Sequence, residues 1–223
     1  MFSNKDLPGV IPIFPLSGAL LLPRANLPLQ IFEPKYLQMF EDCLKSPDRL
    51  MGMIQFNYKE KGIEKLHSVG CAGRVQQFSE TPDGRYMITL AGVSRFRIVE
   101  EQISLSAYRK AHVDWKEFAN DIGPAEKDKA FDRDYFMKLL EKFFVYADLK
   151  TDWNSLKDAD EELLVNSLSI LCPFESEDKQ ALLEAPCLSA RRETLITLLE
   201  FSLLGGNSGR SLQGVAASQI DLC

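Results

Sequence analysis

From Val10 to Leu44 the chain places apolar residues in short runs broken by Pro12, Pro15, Pro23, Pro28 and Pro34. Each proline fixes its own φ and biases the residue before it toward extended geometry, so the part before Pro34 is expected as short strands and kinks. Pro34 instead suits the first turn of a helix, with Glu33 at the positive end of the dipole, and Tyr36, Leu37, Phe40 and Leu44 recur at three- and four-residue steps. Leu50–Phe56 is apolar enough for a buried strand, and the charged stretch Asn57–Lys65 reads as a loop. From Ser68 to Trp115 the period becomes two: Val69, Cys71, Gly73, Val75 and Gln77 alternate with smaller or polar neighbours, and Thr81-Pro82-Asp83-Gly84 supplies hairpin chemistry. The alternation resumes at Tyr86, Ile88 and Leu90 and continues through Phe96, Ile98, Tyr108, Ala111 and Val113. This pattern predicts an antiparallel meander of about four strands. With the opening segment, roughly six or seven short strands are available, a number that closes or curls to protect its edges.

The pattern then changes. Lys116–Lys129 is polar, contains Gly123-Pro124 and has no apolar period, so it reads as a linker. Beyond it the spacing is helical: Phe136, Leu139, Leu140, Phe143, Phe144 and Ala147 form one stripe in Asp132–Asp148, and Leu163, Leu164, Leu168 and Leu171 form another in Asp158–Leu171, which Pro173 stops. Ser176–Glu184 is a short helix. Ser189 is expected to cap a last helix carrying Leu195, Leu198, Leu199 and Leu203, closed by Gly205-Gly206. The expected organisation is α+β: a β-rich subdomain with one helix over 8–115, a linker over 116–130, a helical bundle over 131–204 and a disordered tail over 205–223.

Charge narrows the function classes. The 223 residues carry a net charge of −6. Met1–His112 has 14 basic and 11 acidic residues, a net +3, whereas Val113–Cys223 has 12 and 21, a net −9. That excludes a chain-wide nucleic-acid footprint and leaves a local basic set in the β region: Arg74, Arg85, Arg95, Arg97, Arg109 and Lys110. The five cysteines, Cys43, Cys71, Cys172, Cys187 and Cys223, are odd in number and unpaired in spacing, which argues against a disulfide scaffold or a zinc site. Leu7–Pro23 is too broken by prolines for a signal peptide or a membrane span, so a cytoplasmic protein without a membrane role is expected.

Candidate chemistry is sparse. There is no G-x-x-x-x-G-K-[ST] loop and no G-x-G-x-x-G after a strand. Ser176-Glu177-Asp178-Lys179 matches S-x-x-K, but its companion motifs are missing and a serine followed by acids is ordinary helix capping. His67 and His112 have no ligand or triad partner nearby in sequence. No catalytic residue, metal ligand or cofactor is therefore assigned. Glu33 is expected to pair with Arg95 or Arg74 and so tie the first helix to the sheet. Leu20, Leu21, Leu22, Leu27, Leu29 and Ile31 offer more apolar surface than one face of a small sheet requires. Either all of them are core, or Leu21, Leu22, Leu29 and Ile31 line an exposed groove that receives unfolded or extended protein segments.

Two sets of residues resemble one family. Pro15, Leu16, Pro23, Phe32, Glu33, Pro34 and Tyr36 are similar to the opening of the Lon amino-terminal (substrate-binding) domain family. Gly70, Val75, Pro82, Asp83, Gly84, Gly92, Arg95, Phe96 and Ile98 resemble its β region, and Cys172–Glu200 its closing helices. The resemblance runs over roughly residues 11–204. It implies a PUA-like pseudo-barrel followed by a C-terminal helical bundle, in a bacterial-type, proteolysis-related and non-catalytic protein-binding module. The two parts would form a semi-rigid pair whose shared cleft holds client protein, with a Lon-type protease as one kind of protein partner. The alternatives are an RNA-binding PUA-like module and, less favoured, a hydrolase with an unrecognised site. Oligomeric state is left open by the sequence.

Overall fold

The computed structural model describes residues 7–57, 65–103, 105–205 and 219–220. The chain divides into two compact units, Met1–Pro124 and Ala125–Cys223.

The first unit contains strands β1 (Val10–Pro15), β2 (Asn26–Ile31), β3 (Leu50–Ile54), β4 (Phe56–Asn57), β5 (Lys65–Leu66), β6 (Val69–Glu80), β7 (Tyr86–Gln102) and β8 (Lys110–Asp114), with helix α1 (Pro34–Lys45) between β2 and β3. Six strands run in the order β2-β7-β6-β3-β1-β8, and β8 pairs back onto β7, so five of them close into a ring. The β1–β3 pair is parallel and the other pairs are antiparallel. Closure depends on the length of β7. Its first part, Tyr86–Ala91, pairs with β2, and its last part, Arg97–Gln102, pairs with β8.

The alternation from Tyr86 through Phe96 and Ile98 thus belongs to one 17-residue strand. Its middle is kept open by Gly92. The Gly92 amide donates to the Ala25 carbonyl and its carbonyl accepts from the Arg24 amide, both at 2.8 Å. A Cβ there would lie 1.9 Å from the Leu22 carbonyl oxygen, so only glycine lets the Leu22–Ala25 backbone cross the strand.

Inside the ring, Ile11, Ile13, Ile54, Ala72, Phe96, Val113 and Trp115 form a buried cluster. Helix α1 takes Pro34 in its first turn and buries Tyr36, Met39, Phe40 and Cys43, while the expected Leu37 and Leu44 are only half-buried. Phe14 meets Tyr36 at 4.4 Å between ring centroids, and Phe40 meets Phe78 at 5.5 Å and Tyr86 at 4.7 Å, which seats α1 against β1 and the β6–β7 hairpin.

The expected linker is ordered at both ends, and the boundary between the two units falls inside it, after Pro124. Lys116–Ile122 is a 3₁₀ segment packed on β7 that buries Phe118 and Asp121. Asp128 is buried as well, 2.6 Å from Arg192 Nε. Buried carboxylates with dedicated partners leave no composition signal, which is why the stretch reads as solvated.

The second unit contains α2 (Arg133–Tyr146), β9 (Lys150–Thr151), α3 (Trp153–Asp158), α4 (Glu161–Leu171), α5 (Ser176–Glu184) and α6 (Leu188–Gly205). Helices α2, α4 and α5 each pack on α6. The short α3 was not expected. Asp158 ends it, and α4 opens at Asp160 instead. On α4 the buried leucines are Leu164 and Leu168, and Leu163 and Leu171 are exposed. Helix α6 opens one residue before Ser189, the Cys187 carbonyl accepting from the Arg191 amide at 3.0 Å. Of the expected tail, Gly205 closes α6 and Gln219–Ile220 forms a two-residue strand, β10, parallel to β9; the remainder lies outside the described residues.

Candidate functional site

Of the two readings of the apolar run, burial favours core for Leu21, Leu22 and Ile31. Leu21 and Ile31 are 1% exposed and Leu22 is 0% exposed; Leu29 alone is half-buried. The reason lies in the turn between β1 and β2. Its backbone is held at Gly92, and Leu21 lies over Gly73, where a Cβ would sit 2.7 Å from Leu21 Cδ2. The run of leucines therefore fills space left by two glycines instead of facing solvent.

Glu33 pairs with neither expected arginine. Its carboxylate sits 3.2 Å from Lys35 Nζ, its side chain caps nothing, and its carbonyl accepts from Tyr36 and Leu37. Arg95 belongs to Asp121: Nε and Nη2 donate to the two carboxylate oxygens at 2.9 and 2.8 Å, and the Arg95 amide donates to Oδ2 at 2.8 Å. The guanidinium lies 4.6 Å from the Phe118 ring centre, and Arg24 adds a hydrogen bond to the Asp121 carbonyl. This is a bidentate pair buried on both sides, and it fixes the 3₁₀ segment to the sheet.

Val99, Ile103 and Leu105 are exposed towards and beyond the end of β7, and a further stretch of exposed apolar surface lies on the outer side of β2, β7 and β6. Side chains alternate along a strand, so with Ile88 and Leu90 turned inward, Met87 and Thr89 turn outward. Pairing aligns Pro28 and Gln77 with Thr89, and Gln30 and Ser79 with Met87. The result is a shallow groove of about 450 Å³ lined by Pro28, Gln77, Phe78, Ser79, Met87, Ile88 and Thr89. Met87 is 43% exposed, and Phe32, just past the end of β2, is 58% exposed with the Arg85 guanidinium 5.9 Å from its ring centre. Phe32 was noted in the sequence only as a family residue and Met87 not at all. The alternation Tyr86-Met87-Ile88 was the available signal, since it puts a large apolar residue on the outward face.

A larger cleft of about 750 Å³ in the second unit is lined by residues of 125–129, Arg133 and 157–162. Three of its charged side chains are held by backbone. Arg133 Nη2 donates to the carbonyls of Leu156, Lys157 and Ala159 at 2.9, 2.8 and 2.6 Å. Glu161 and Glu162 accept from the amides of Asp128 and Glu126.

The remaining chemical candidates are dispersed. Lys179 is buried and donates to the Ile170 carbonyl at 3.1 Å, at the end of α4; burial lowers its pKa. His112 on β8 is half-exposed, 4.0 Å from Glu100. Cys43, Cys71 and Cys172 are buried free thiols, and burial pushes Cys43 and Cys172 up to about 12. Cys187 is half-buried beside Ser189 Oγ at 3.1 Å, and hydrogen bonds from Ser189 and the Ala190 amide lower its pKa. Among the described residues no group of three or more His, Cys, Asp and Glu could hold a metal ion, and no helix is long and apolar enough to cross a membrane.

A partly closed β ring with an outward apolar groove, joined in sequence to a helical unit, defines an α+β protein of the Lon amino-terminal fold. Residues 10–200 match the model of the ATP-dependent protease La (LON) substrate-binding domain, and the chain belongs to that family. Among solved structures it is similar to a Lon N-terminal domain protein from Xanthomonas campestris, with a TM-score of 0.58 and 21% identity over 84% of this chain and 97% of that one. It is also similar to the N-terminal domain of the Mycobacterium avium complex Lon protease, with a TM-score of 0.61 and 14% identity over 86% and 98%. Among curated proteins, Lon protease 2 of Thermus thermophilus is 25% identical over 96% of this chain, which covers 27% of that protein. Lon protease 2 of Myxococcus xanthus is 27% identical over 51% of this chain and 14% of its own length. The chain thus spans about a quarter or less of the curated relatives it matches.

Proposed function

We propose that this chain is a non-catalytic module that holds extended or unfolded protein segments on the outer groove of β2, β7 and β6, in the manner of a substrate-recognition part of a Lon-type protease. The observation that carries the reading is that Phe32 and Met87, 58% and 43% exposed, stand beside a groove whose lining includes a third exposed apolar side chain, Phe78. Exposed apolar residues clustered beside a concave surface favour an apolar partner. The site is small, so affinity for one segment is modest, and several segments or several copies raise it by avidity.

The RNA alternative is disfavoured by the same arginines that suggested it. Arg85, Arg95, Arg97 and Arg109 each face a carboxylate within 2.9 Å, from Asp83, Asp121, Glu117 and Glu101, and Arg74 donates to the Asp48 carbonyl. Phosphate would have to displace those partners.

The test is a titration of a permanently unfolded protein, reduced and carboxymethylated α-lactalbumin, against the chain by fluorescence anisotropy. Binding is expected to weaken at least ten-fold in a Phe32→Ser, Met87→Asp variant and to change little between about 50 and 200 mM salt, the range over which phosphate contacts lose most of their affinity. Unaltered binding by that variant would remove the groove from the proposal.

A further inference from the structure

The side of the β6–β7 hairpin facing α1 meets the groove at Phe78, which lines the groove as well, and adds charge to it. Phe78 is 52% exposed and Tyr86 is half-buried; their ring centres lie 6.4 Å apart, and both rings lean on the buried ring of Phe40. Glu80 is the cross-strand partner of Tyr86 and stands two residues beyond Phe78, hence on the same face of the sheet. Glu41 follows Phe40 on α1. Both carboxylates are exposed, and neither belongs to an ion pair among the described residues. Of the nearest cations in sequence, Arg85 is held by Asp83 at 2.8 Å, and Lys45, four residues after Glu41 on α1, lies 3.8 Å from Asp42. Burial raises the pKa of the Tyr86 hydroxyl, and the charges of Glu80 and Glu41 raise it further.

We propose that Phe78, Tyr86, Glu80 and Glu41 form a subsite for a cationic side chain, arginine above all, of a bound polypeptide segment. An aromatic face attracts a cation through its quadrupole, and Glu80 across the strand pair from Tyr86, with Glu41 next to Phe40 on α1, adds negative charge in the neighbourhood of the rings. Arginine suits the site better than lysine because its planar head stacks on a ring and still pairs sideways with a carboxylate. The rings are already braced by Phe40, so little side-chain freedom is lost on binding. This inference rests on the reading that the chain holds polypeptide, and adds a charge preference to it. The groove selects for apolar residues, and this face selects for a positive residue beside them.

The test uses the full chain and two synthetic peptides of nine residues, alternating leucine and serine, one with a central arginine and one with citrulline, its neutral isostere. The arginine peptide is expected to bind the native chain about ten-fold more tightly than the citrulline peptide, the sum of one cation–π contact and one exposed ion pair. In the Glu41→Gln, Glu80→Gln variant that ratio is expected to fall to the share of the cation–π contact alone, about two- to five-fold. A ratio near one in the native chain, or a ten-fold ratio that survives in the variant, overturns the subsite and leaves the groove standing. Failure of the native chain to bind either peptide overturns the polypeptide-binding reading, and the subsite with it.

Discussion

Asp121→Asn tests the buried latch between the 3₁₀ segment and the sheet. The substitution keeps the shape of the side chain and removes the charge opposite Arg95, whose side chain is 3% exposed against 1% for Asp121. Breaking a buried pair by altering one partner strands the other charge, at a cost of about 3–5 kcal/mol. That is a large part of the roughly 5–15 kcal/mol that a domain possesses. With a urea slope of about 1–3 kcal/mol/M, the midpoint of unfolding should drop by about 1–5 M. Because the chain has two compact units, a whole-chain midpoint would mix two transitions. Trp115, buried with Nε1 donating to the Pro8 carbonyl at 3.0 Å, reports the first unit if Trp153 is replaced by Phe in the background. The companion variant Arg95→Met, Asp121→Leu removes both charges and should recover most of the lost stability. A loss below about 1 kcal/mol for Asp121→Asn, the size of a surface pair, would refute the reasoning. So would a double variant no better than the single one.

Three further outcomes are expected. Gly92→Ala should lower the melting temperature of the first unit severely, because its Cβ would meet the Leu22 carbonyl at 1.9 Å and the clash is with backbone; a melting curve indistinguishable from the native one would contradict that packing. Lys179 has its folded pKa lowered by burial, so the unfolded state binds the extra proton: stability of the second unit should rise as pH climbs from that lowered pKa toward the ordinary 10.5, and urea midpoints read from Trp153 should show this increment in the native chain and lack it in Lys179→Met. Iodoacetamide at pH 8 should alkylate Cys187 before Cys43 or Cys172, whose thiols burial pushes up to about 12, as read by peptide mass spectrometry; equal rates would mean that Cys187 lacks its lowered pKa.

The β meander and the helices were legible because their apolar residues repeat at two or at three to four positions, with hairpin and proline punctuation between them. Three features had no such period. Leu20, Leu21 and Leu22 are consecutive, and their burial depends on Gly73 and Gly92, which lie far along the chain and look locally like any strand glycine. Asp121 is 26 residues from Arg95 inside a polar stretch, so nothing local separates it from a solvated acid. The parallel β1–β3 pair brings together strands divided by a helix, and no pattern within either strand announces the partner. The apolar run Leu20–Leu22, Leu27, Leu29 and Ile31 is mostly buried, whereas the exposed large apolar residues of this unit, Phe32, Phe78, Met87 and Val99 among them, are scattered singly in sequence, so no local run marks them.

Hydrogen–deuterium exchange of the chain with and without carboxymethylated α-lactalbumin tests most directly where polypeptide is held. Slowed exchange is expected in 26–32 and 77–89, the strands that carry the groove, with little change in 125–162 around the larger cleft. Slowing confined to 125–162, or no slowing in β2, β6 and β7 under saturating ligand, would contradict a binding groove on the outer sheet.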